Sequence, residues 1–393
     1  MQDNYAFNGL EAVLPWWSDV RSCALIALQT RRPLVGLRVA IICIDLYRFD
    51  SISTSVCEQA VVLMTAGCDV EVVCNNCTGI TSPLFRSREN FDPTDYDCVL
   101  YHYYVSDTLL ESILGSPVRK AVFYQGITTP PETYAPYSSD FVETCREGLR
   151  HLHRLHSFDM VFSGSNYNIA QIQALATKDN RDFPLRMIPP VVSVERFWQE
   201  SKPPAEVPMH ILTISRIFSS KNLEGVIRFA EALVKHTGRG MRLTIAGAKC
   251  EPAYVQQLLS DTTNSPLLEL DICLRASDER IREFYSQADI YACFSHHEGF
   301  CIPLVEAMAA GVPVVTHALT AIEQTMGGSG VVVDPFEYES AANQIWAIWL
   351  QAGALSSLIA EQRAVFERLY SGVTVAGQLI EGVRDLAQFQ RMK

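Results

Sequence analysis

The chain has 393 residues, of which 48% are hydrophobic and 19% charged, with a formal net charge of −12. That length implies two domains, each able to bury an ordinary core. The acid excess excludes a nucleic-acid binder built on a basic face, and it opposes strong attraction to an anionic membrane surface. The twelve cysteines are scattered, many inside apolar runs (Cys43, Cys273, Cys293), where cysteine acts as a small hydrophobe. The close pair Cys74 and Cys77 lacks the two further ligands of a structural zinc site. Reduced thiols and a cytoplasmic location are expected. The first residues include Asp3, Glu11 and Asp19 rather than a basic leader, and the apolar run from Cys23 to Leu28 is too short to cross a bilayer.

Residues 1–36 precede the first clear strand. Trp16, Trp17 and the apolar set from Ala24 to Leu28 suggest a helix packed on the first domain. Leu37 to Ile44 reads as a buried strand, Thr54 to Ala66 as a helix closed by Gly67, and Asp69 to Cys74 as a second strand, together a βαβ unit. The intervening loop has no Gly-x-Gly-x-x-Gly, which speaks against a dinucleotide-dependent oxidoreductase. It offers Asp50, Ser51, Ser53 and Thr54, groups that either cap the helix or contact an acceptor or phosphate. Further strands are expected at Cys98–Val105, Ala121–Gln125, Asp159–Ser163 and Met187–Val192. An amphipathic helix spans Asp140–His156, with Arg146, Arg150, His153 and Arg154 facing outward. Such a face is most often solvated. Its sharper use would be docking on phospholipid or a polyprenyl phosphate, which would place the chain peripherally at the inner membrane face. Ser165 is a natural helix cap. Glu200 to Pro208, with three prolines, reads as an interdomain linker.

The second half alternates in the same way. Strands are expected at His210–Ser215, Arg242–Ala246, Leu268–Leu274 and Ile290–Phe294, with helices at Leu223–Lys235 and Asp278–Gln287. A polar loop, Ser295 to Gly299, then leads to a helix with Pro303 in its first turn and Gly311 at its end. Glu298 lies in the loop, and Glu306 is expected in the first helical turn, where the helix dipole favours a carboxylate. The amides of Phe300, Cys301 and Ile302 fall at the helix start, where donors lack intrahelical partners and suit an anion or hydroxyl. Ligands of open α/β sheets bind beyond the carboxyl ends of strands, which is where this loop falls. Val312 begins another strand, Val331 to Val333 a short one. Helices over Glu339–Tyr370 and Val373–Gln390 close the reading.

The string from Ser295 to Val315, Ser-x-x-Glu-Gly-Phe-x-Ile-Pro-Leu-Val-Glu-Ala-Met-Ala-x-Gly-x-Pro-Val-Val, resembles the C-terminal signature of the retaining nucleotide-sugar transferases of glycosyltransferase family 4. Ser215-Arg-Ile-Phe-Ser-Ser-Lys-Asn222 resembles that family's Arg-then-Lys motif. The resemblance is strongest over residues 210–335 and weaker over 37–200. It implies an α/β GT-B fold, two Rossmann-like β/α/β domains facing across a cleft. Residues 1–200 would form the acceptor-binding domain, with 1–36 as an extension. Residues 209–372 would form the nucleotide-sugar domain, and 373–393 a final helix crossing back to the first.

The activity implied is retaining transfer of a hexose from a nucleotide-diphosphate sugar to a hydroxyl of a glycan, lipid-linked or small-molecule acceptor, with no cofactor and no divalent metal. Glu298 would hold donor-sugar hydroxyls and stabilise positive charge at the anomeric carbon. Arg216, a bidentate fork, and Lys221, a point charge, would hold the diphosphate and its developing charge. Glu306 would bind the ribose. Gly299, Phe300, Cys301 and Ile302 would position the donor. Arg275 would border the base beside Leu274, and Gly247 would let backbone approach the ligand.

The chain also departs from the family. Relatives often read Tyr-His-Asn-Ile-Thr-Pro where Tyr124-Gln125-Gly126-Ile127-Thr128 stands. They usually carry glycine at Cys301 and Pro-Glu at Glu323-Gln324. Gln125 can still hydrogen-bond a sugar, and His102 matches a family histidine near the cleft. Asp95 and Asp97 resemble the acidic pair of metal-dependent GT-A transferases, yet they precede their strand and read as a turn. A sugar phosphorylase and a non-catalytic sugar-nucleotide-binding partner are the alternative readings. The Tyr-x-x-Ile-Thr and Glu-Gly-Phe-Cys features are similar to those of bacterial relatives that use GDP-mannose in surface-polysaccharide assembly.

Overall fold

A computed structural model of the chain describes residues 14–31, 33–47, 50–77, 84–128, 139–175, 184–190, 193–199, 210–247, 250–261 and 265–389. The chain divides into two compact units. The first comprises residues 1–127, 143–193 and 370–393, the second residues 128–142 and 194–369. The linker expected at Glu200–Pro208 lies outside the described residues. Among those described, no helix is long and apolar enough to cross a membrane.

The first unit opens with α1 (Trp17–Leu28), β1 (Arg38–Ile42), β2 (Asp45–Leu46), α2 (Ser51–Thr65), β3 (Asp69–Cys74) and β4 (Asn76–Cys77). It continues with β5 (Phe85–Ser87), β6 (Cys98–Tyr103), α3 (Leu110–Gly115), β7 (Arg119–Tyr124), α4 (Ser139–Arg150, of this unit from Glu143 onward), β8 (Met160–Ser163), α5 (Asn166–Ala174) and β9 (Leu185–Met187). The main sheet has the order β5-β3-β1-β6-β7-β8-β9, parallel throughout. β2 and β4 form a separate short parallel pair. Strands covered on both faces favour apolar side chains, and the mostly apolar β6 and β8 are buried along their whole length.

The second unit contains β10 (His210–Ile214), α6 (Leu223–Thr237), β11 (Met241–Gly247), α7 (Pro252–Asp261), β12 (Leu268–Leu274) and α8 (Asp278–Gln287). Next come β13 (Ile290–Cys293), α9 (Ile302–Ala310), β14 (Val314–His317), α10 (Ile322–Met326), β15 (Val331–Val333), α11 (Tyr338–Leu350) and α12 (Ala354–Leu369). Its sheet, β12-β11-β10-β13-β14-β15, is also parallel. Strand order therefore reverses between β10 and β13, which pair directly through Ile211 opposite Ile290. A ligand crevice opens at such a reversal in doubly wound sheets.

The final helix, α13 (Gly372–Gln388), belongs to the first unit. It packs on α1 and α2, and its Val375, Leu379, Ile380, Val383 and Leu386 join the core of that unit. Each large aliphatic side chain so buried contributes about 1.5–3 kcal/mol before entropy is counted. Ser371 caps α13 by accepting from the Thr374 amide. The packing reading of the aromatic pair also holds for Trp16, which is buried and donates from Nε1 to the buried Glu58.

Several boundaries differ from expectation. α2 starts at Ser51 rather than Thr54, because the Asp50 side chain accepts from the Ser53 amide and fixes the cap there. The helix expected to reach His156 is α helix only to Arg150. A 3-10 segment, Leu152–Ser157, follows it. α9 begins at Ile302, so Glu306 falls beyond its first turn and gains little from the helix dipole.

Candidate active site

Two loops follow the paired strands β10 and β13, and backbone bonds stitch them together. The His296 amide donates to the Ser220 carbonyl at 2.9 Å. Asn222, in left-handed conformation at φ 48°, caps α6 by accepting from the Gly225 amide. Its Nδ2 donates to the Phe294 carbonyl at 2.8 Å. One asparagine thus sets both the start of α6 and the exit of β13. A third element clamps the second loop. The Glu298 amide donates to Thr320 Oγ1 at 3.0 Å, and Thr325 Oγ1 donates to the Phe300 carbonyl at 2.5 Å.

On this scaffold Lys221 Nζ donates to Glu298 Oε1 at 2.6 Å, and the two side chains are only 11% and 13% exposed. Burial alone would raise the Glu298 carboxyl. The Lys221 charge and hydrogen bonds from Lys221 and Ser295 reverse that and hold it below the ordinary carboxylate range. Burial likewise opposes charge on Lys221, yet Glu298 outweighs it and keeps the ammonium above its ordinary value. Both groups are therefore ionised at neutral pH. Arg216 is exposed, its guanidinium 5.5 Å from the centre of the Phe218 ring. Beside the carboxylate, burial pushes the His297 imidazole down to about 4, so it is neutral.

Glu306 lies deeper. Its Oε2 accepts from Tyr285 Oη at 2.9 Å, and Arg196 Nη2 stands 3.8 Å from Oε1. Burial raises its carboxyl above the ordinary range, with Arg196 and Tyr285 offsetting part of the effect. Cys301 is the residue before α9 and adopts φ 73°, ψ 73°, the left-handed region that glycine occupies freely. This explains why glycine suits that position, and the thiol side chain there carries a strain of about 1–2 kcal/mol. Cys301 Sγ lies 3.9 Å from Cys293 Sγ, and this contact holds the Cys293 thiol below its usual range.

The remaining second-unit candidates sit at neighbouring strand ends. Gly247 ends β11 opposite Leu274 of β12, and the exposed Arg275 donates its amide to the Gly247 carbonyl at 2.8 Å. A Cβ on Gly247 would meet the Ser215 carbonyl oxygen at 2.2 Å. The close approach seen at this glycine is to the chain's own backbone.

The first-unit candidates are more enclosed than the sequence suggests. His102 is 1% exposed, with Nε2 3.1 Å from Gln59 Oε1 and Nδ1 3.0 Å from Gln125 Nε2. The Gln125 amide must donate, so Nδ1 accepts and Nε2 carries the proton. Burial pushes this imidazole down to about 3. His102 therefore orients Gln125, which is half-buried. Ser53 is 1% exposed, and its hydroxyl donates to Asp50 while accepting from the Tyr47 amide. The Thr54 amide donates to the Asp50 carbonyl. These groups act as a helix cap. Asp97 accepts from the Arg38 amide at 2.8 Å, a turn contact at strand entry. In the basic cluster Glu143 pairs with Arg146 and Arg150, and Glu111 with Arg154.

Sequence reasoning missed Arg196, Tyr285, Thr320 and Thr325. The start of α6 was legible, since Asn before an apolar helical run is a cap signal.

Residues 194–362 match the family described as glycosyl transferases group 1. Among curated relatives is the GDP-mannose:cellobiosyl-diphosphopolyprenol alpha-mannosyltransferase of Xanthomonas oryzae pv. oryzae, 28% identical over 127 residues, 32% of this chain and 33% of that protein. The matched stretches span less than half the length of the curated relatives. Sucrose-phosphate synthase from Thermosynechococcus elongatus superposes with a TM-score of 0.69 at 17% identity, covering 90% of this chain and 100% of that one. Anabaena Alr3699/HepE, solved with UDP and glucose, gives 0.62 at 16% identity over 89% of this chain and 100% of that one.

Two doubly wound parallel units, the second carrying paired cations and carboxylates at its strand-order reversal, define a protein of the GT-B class. Through that second unit the chain resembles the glycosyl transferases of group 1.

Proposed function

We propose that the chain is a retaining hexosyltransferase that uses a nucleotide-diphosphate sugar and acts in polysaccharide or glycoconjugate assembly. The observation that carries this is the Lys221–Glu298 pair beside exposed Arg216, at the ends of the adjacent strands β10 and β13. In this reading Arg216 and Lys221 take the diphosphate. Charge builds on the leaving diphosphate as the sugar–phosphate bond breaks, and fixed cations aimed there lower the barrier. Glu298, released from Lys221 as the phosphates bind, meets donor hydroxyls and the positive anomeric carbon. Glu306 receives the ribose hydroxyls beside Tyr285. Amides near Phe300 and Cys301 position the donor, and Arg275 borders the base. These roles need no metal and no cofactor.

GDP-mannose is the proposed donor, supported by the names of curated relatives. A lipid-linked glycan acceptor, recognised by the first unit, has the same support. The test is release of nucleoside diphosphate from a panel of nucleotide sugars, with and without lipid-linked and soluble acceptors. GDP release that requires an acceptor, abolished in Glu298→Gln, is expected. Neither release nor a ligand-induced rise in melting temperature with any donor would overturn the reading.

A further inference from the structure

A second chemical capability sits against the carboxylate of the donor site. Cys293 Sγ, Cys301 Sγ and a Glu298 carboxylate oxygen all lie within 4.8 Å of one another. The two sulfurs are 3.9 Å apart. Two thiolates at about 2.3 Å from a tetrahedral zinc ion stand about 3.8 Å from each other, so the existing separation is already that of a shared metal. Cys293 comes from the end of β13 and Cys301 from the residue before α9. The hydrogen bonds that fix the loop between them therefore also fix the bite of the sulfurs. Ser295 Oγ lies 3.5 Å from Cys293 Sγ.

We infer that Cys293, Cys301 and Glu298 form a site for one thiophilic divalent cation, zinc being the natural occupant. Charge and ligand softness favour this. Two thiolates and a carboxylate carry three negative charges, which a divalent ion and the adjacent Lys221 ammonium neutralise together. Thiolates select zinc over magnesium or calcium, which prefer oxygen. The carboxylate offers one oxygen to Lys221 and the other to the ion. Both thiol protons leave to solvent, and the fourth position goes to water. This differs from a catalytic metal. Resting on the transferase reading, the ion would occupy the carboxylate that a donor hexose needs, so its effect is inhibition.

Reduced, metal-free protein is titrated anaerobically with Co²⁺ as an optical probe, then with Zn²⁺ to displace it. A thiolate-to-metal band saturating at one equivalent is expected. Cys293→Ala should weaken binding by more than about 100-fold, while Cys250→Ala leaves it intact. X-ray absorption of the wild-type zinc form needs no variant, and should show two sulfur neighbours at about 2.3 Å. Absence of the band, fewer than two sulfurs, or an unchanged band in folded Cys293→Ala would overturn the site. Transfer is then measured with increasing Zn²⁺. Wild-type activity should fall with occupancy, and Cys293→Ala should keep its rate. Metal binding without inhibition would overturn the regulatory half. Absence of transfer in metal-free protein would instead sink the transferase reading, leaving the optical result standing.

Discussion

Replacing Lys221 by methionine isolates the energetics of the site. Lys221 and Glu298 meet at 2.6 Å with side chains 11% and 13% exposed, so solvent screens them little. Removing the ammonium leaves a buried carboxylate without its counter-charge, at a cost of about 3–5 kcal/mol. At roughly 2–4 °C per kcal/mol for a unit of this size, melting should fall by about 6–20 °C. The sign with pH follows from the shifts. In the native protein burial raises the Glu298 carboxyl, but Lys221 more than reverses this, so its folded pKa is depressed. The contribution of the pair is present above the ordinary carboxylate value and is lost as pH falls through the folded one. In Lys221→Met burial dominates, the carboxyl moves above its ordinary range, and the deficit should fade as pH falls through that raised value. The double variant Lys221→Met/Glu298→Gln carries no buried charge and should recover to within about 1 kcal/mol of wild type. Thermal melts of all four proteins at about pH 8 and about pH 4 would test this. A deficit below about 1 kcal/mol at the higher pH, or no recovery in the double variant, would refute the argument. Stability and activity should part ways, because neither single variant nor the double retains the groups assigned to the donor.

Three further outcomes are expected. Burial raises the Glu306 carboxyl, with Arg196 and Tyr285 opposing, so folding holds an extra proton and stability falls as pH rises through the raised value. Glu306→Gln should therefore remove this pH dependence while losing nucleotide affinity, read from melts across pH with and without nucleotide. Gly247→Ala would drive a Cβ to 2.2 Å from the Ser215 carbonyl oxygen, backbone against backbone. A loss of about 1–3 kcal/mol is expected, and an unmoved denaturant midpoint would contradict it. His102 is pushed by burial from an ordinary 6.5 to about 3, so the unfolded chain takes up its proton first. Stability should drop by about 2 kcal/mol between pH 6.5 and about pH 5, a slope that His102→Gln removes.

Legibility from sequence followed the locality of the cause. β12 and α8 were read to the residue, because each pairs a clear periodicity with a local terminator or cap such as Ser277. α7 went unread, since its Pro-Ala-Tyr-Val-Gln-Gln start lies beside no strong cap and its apolar stripe is short. The misplacement of Glu306 arose because Cys301 adopts a left-handed conformation that only tertiary context imposes on a non-glycine residue. Glu298 and Lys221 were singled out by motif, but their pairing across 77 positions is a product of adjacent parallel strands. Arg196 and Tyr285 leave no periodic trace at all, because they reach Glu306 from a 3-10 turn and a helix distant in sequence. His102 stood out by its family match and not by its place in an apolar strand, and its partners, Gln59 and Gln125, lie 43 and 23 positions away in sequence, where no local pattern reveals them.

The membership of α13 in the first unit has a consequence for synthesis. Segments of that unit up to Ser193 emerge from the ribosome long before Val375 to Leu386, which complete its core. About 190 residues separate them, so at ordinary elongation rates the first unit waits about 10–40 s with an apolar face uncovered. The second unit, continuous from Val194 to Leu369 apart from one short segment, can finish first. The nascent chain should thus mature out of order, its second unit protected early and its leading unit dependent on chaperone cover until the last helix arrives.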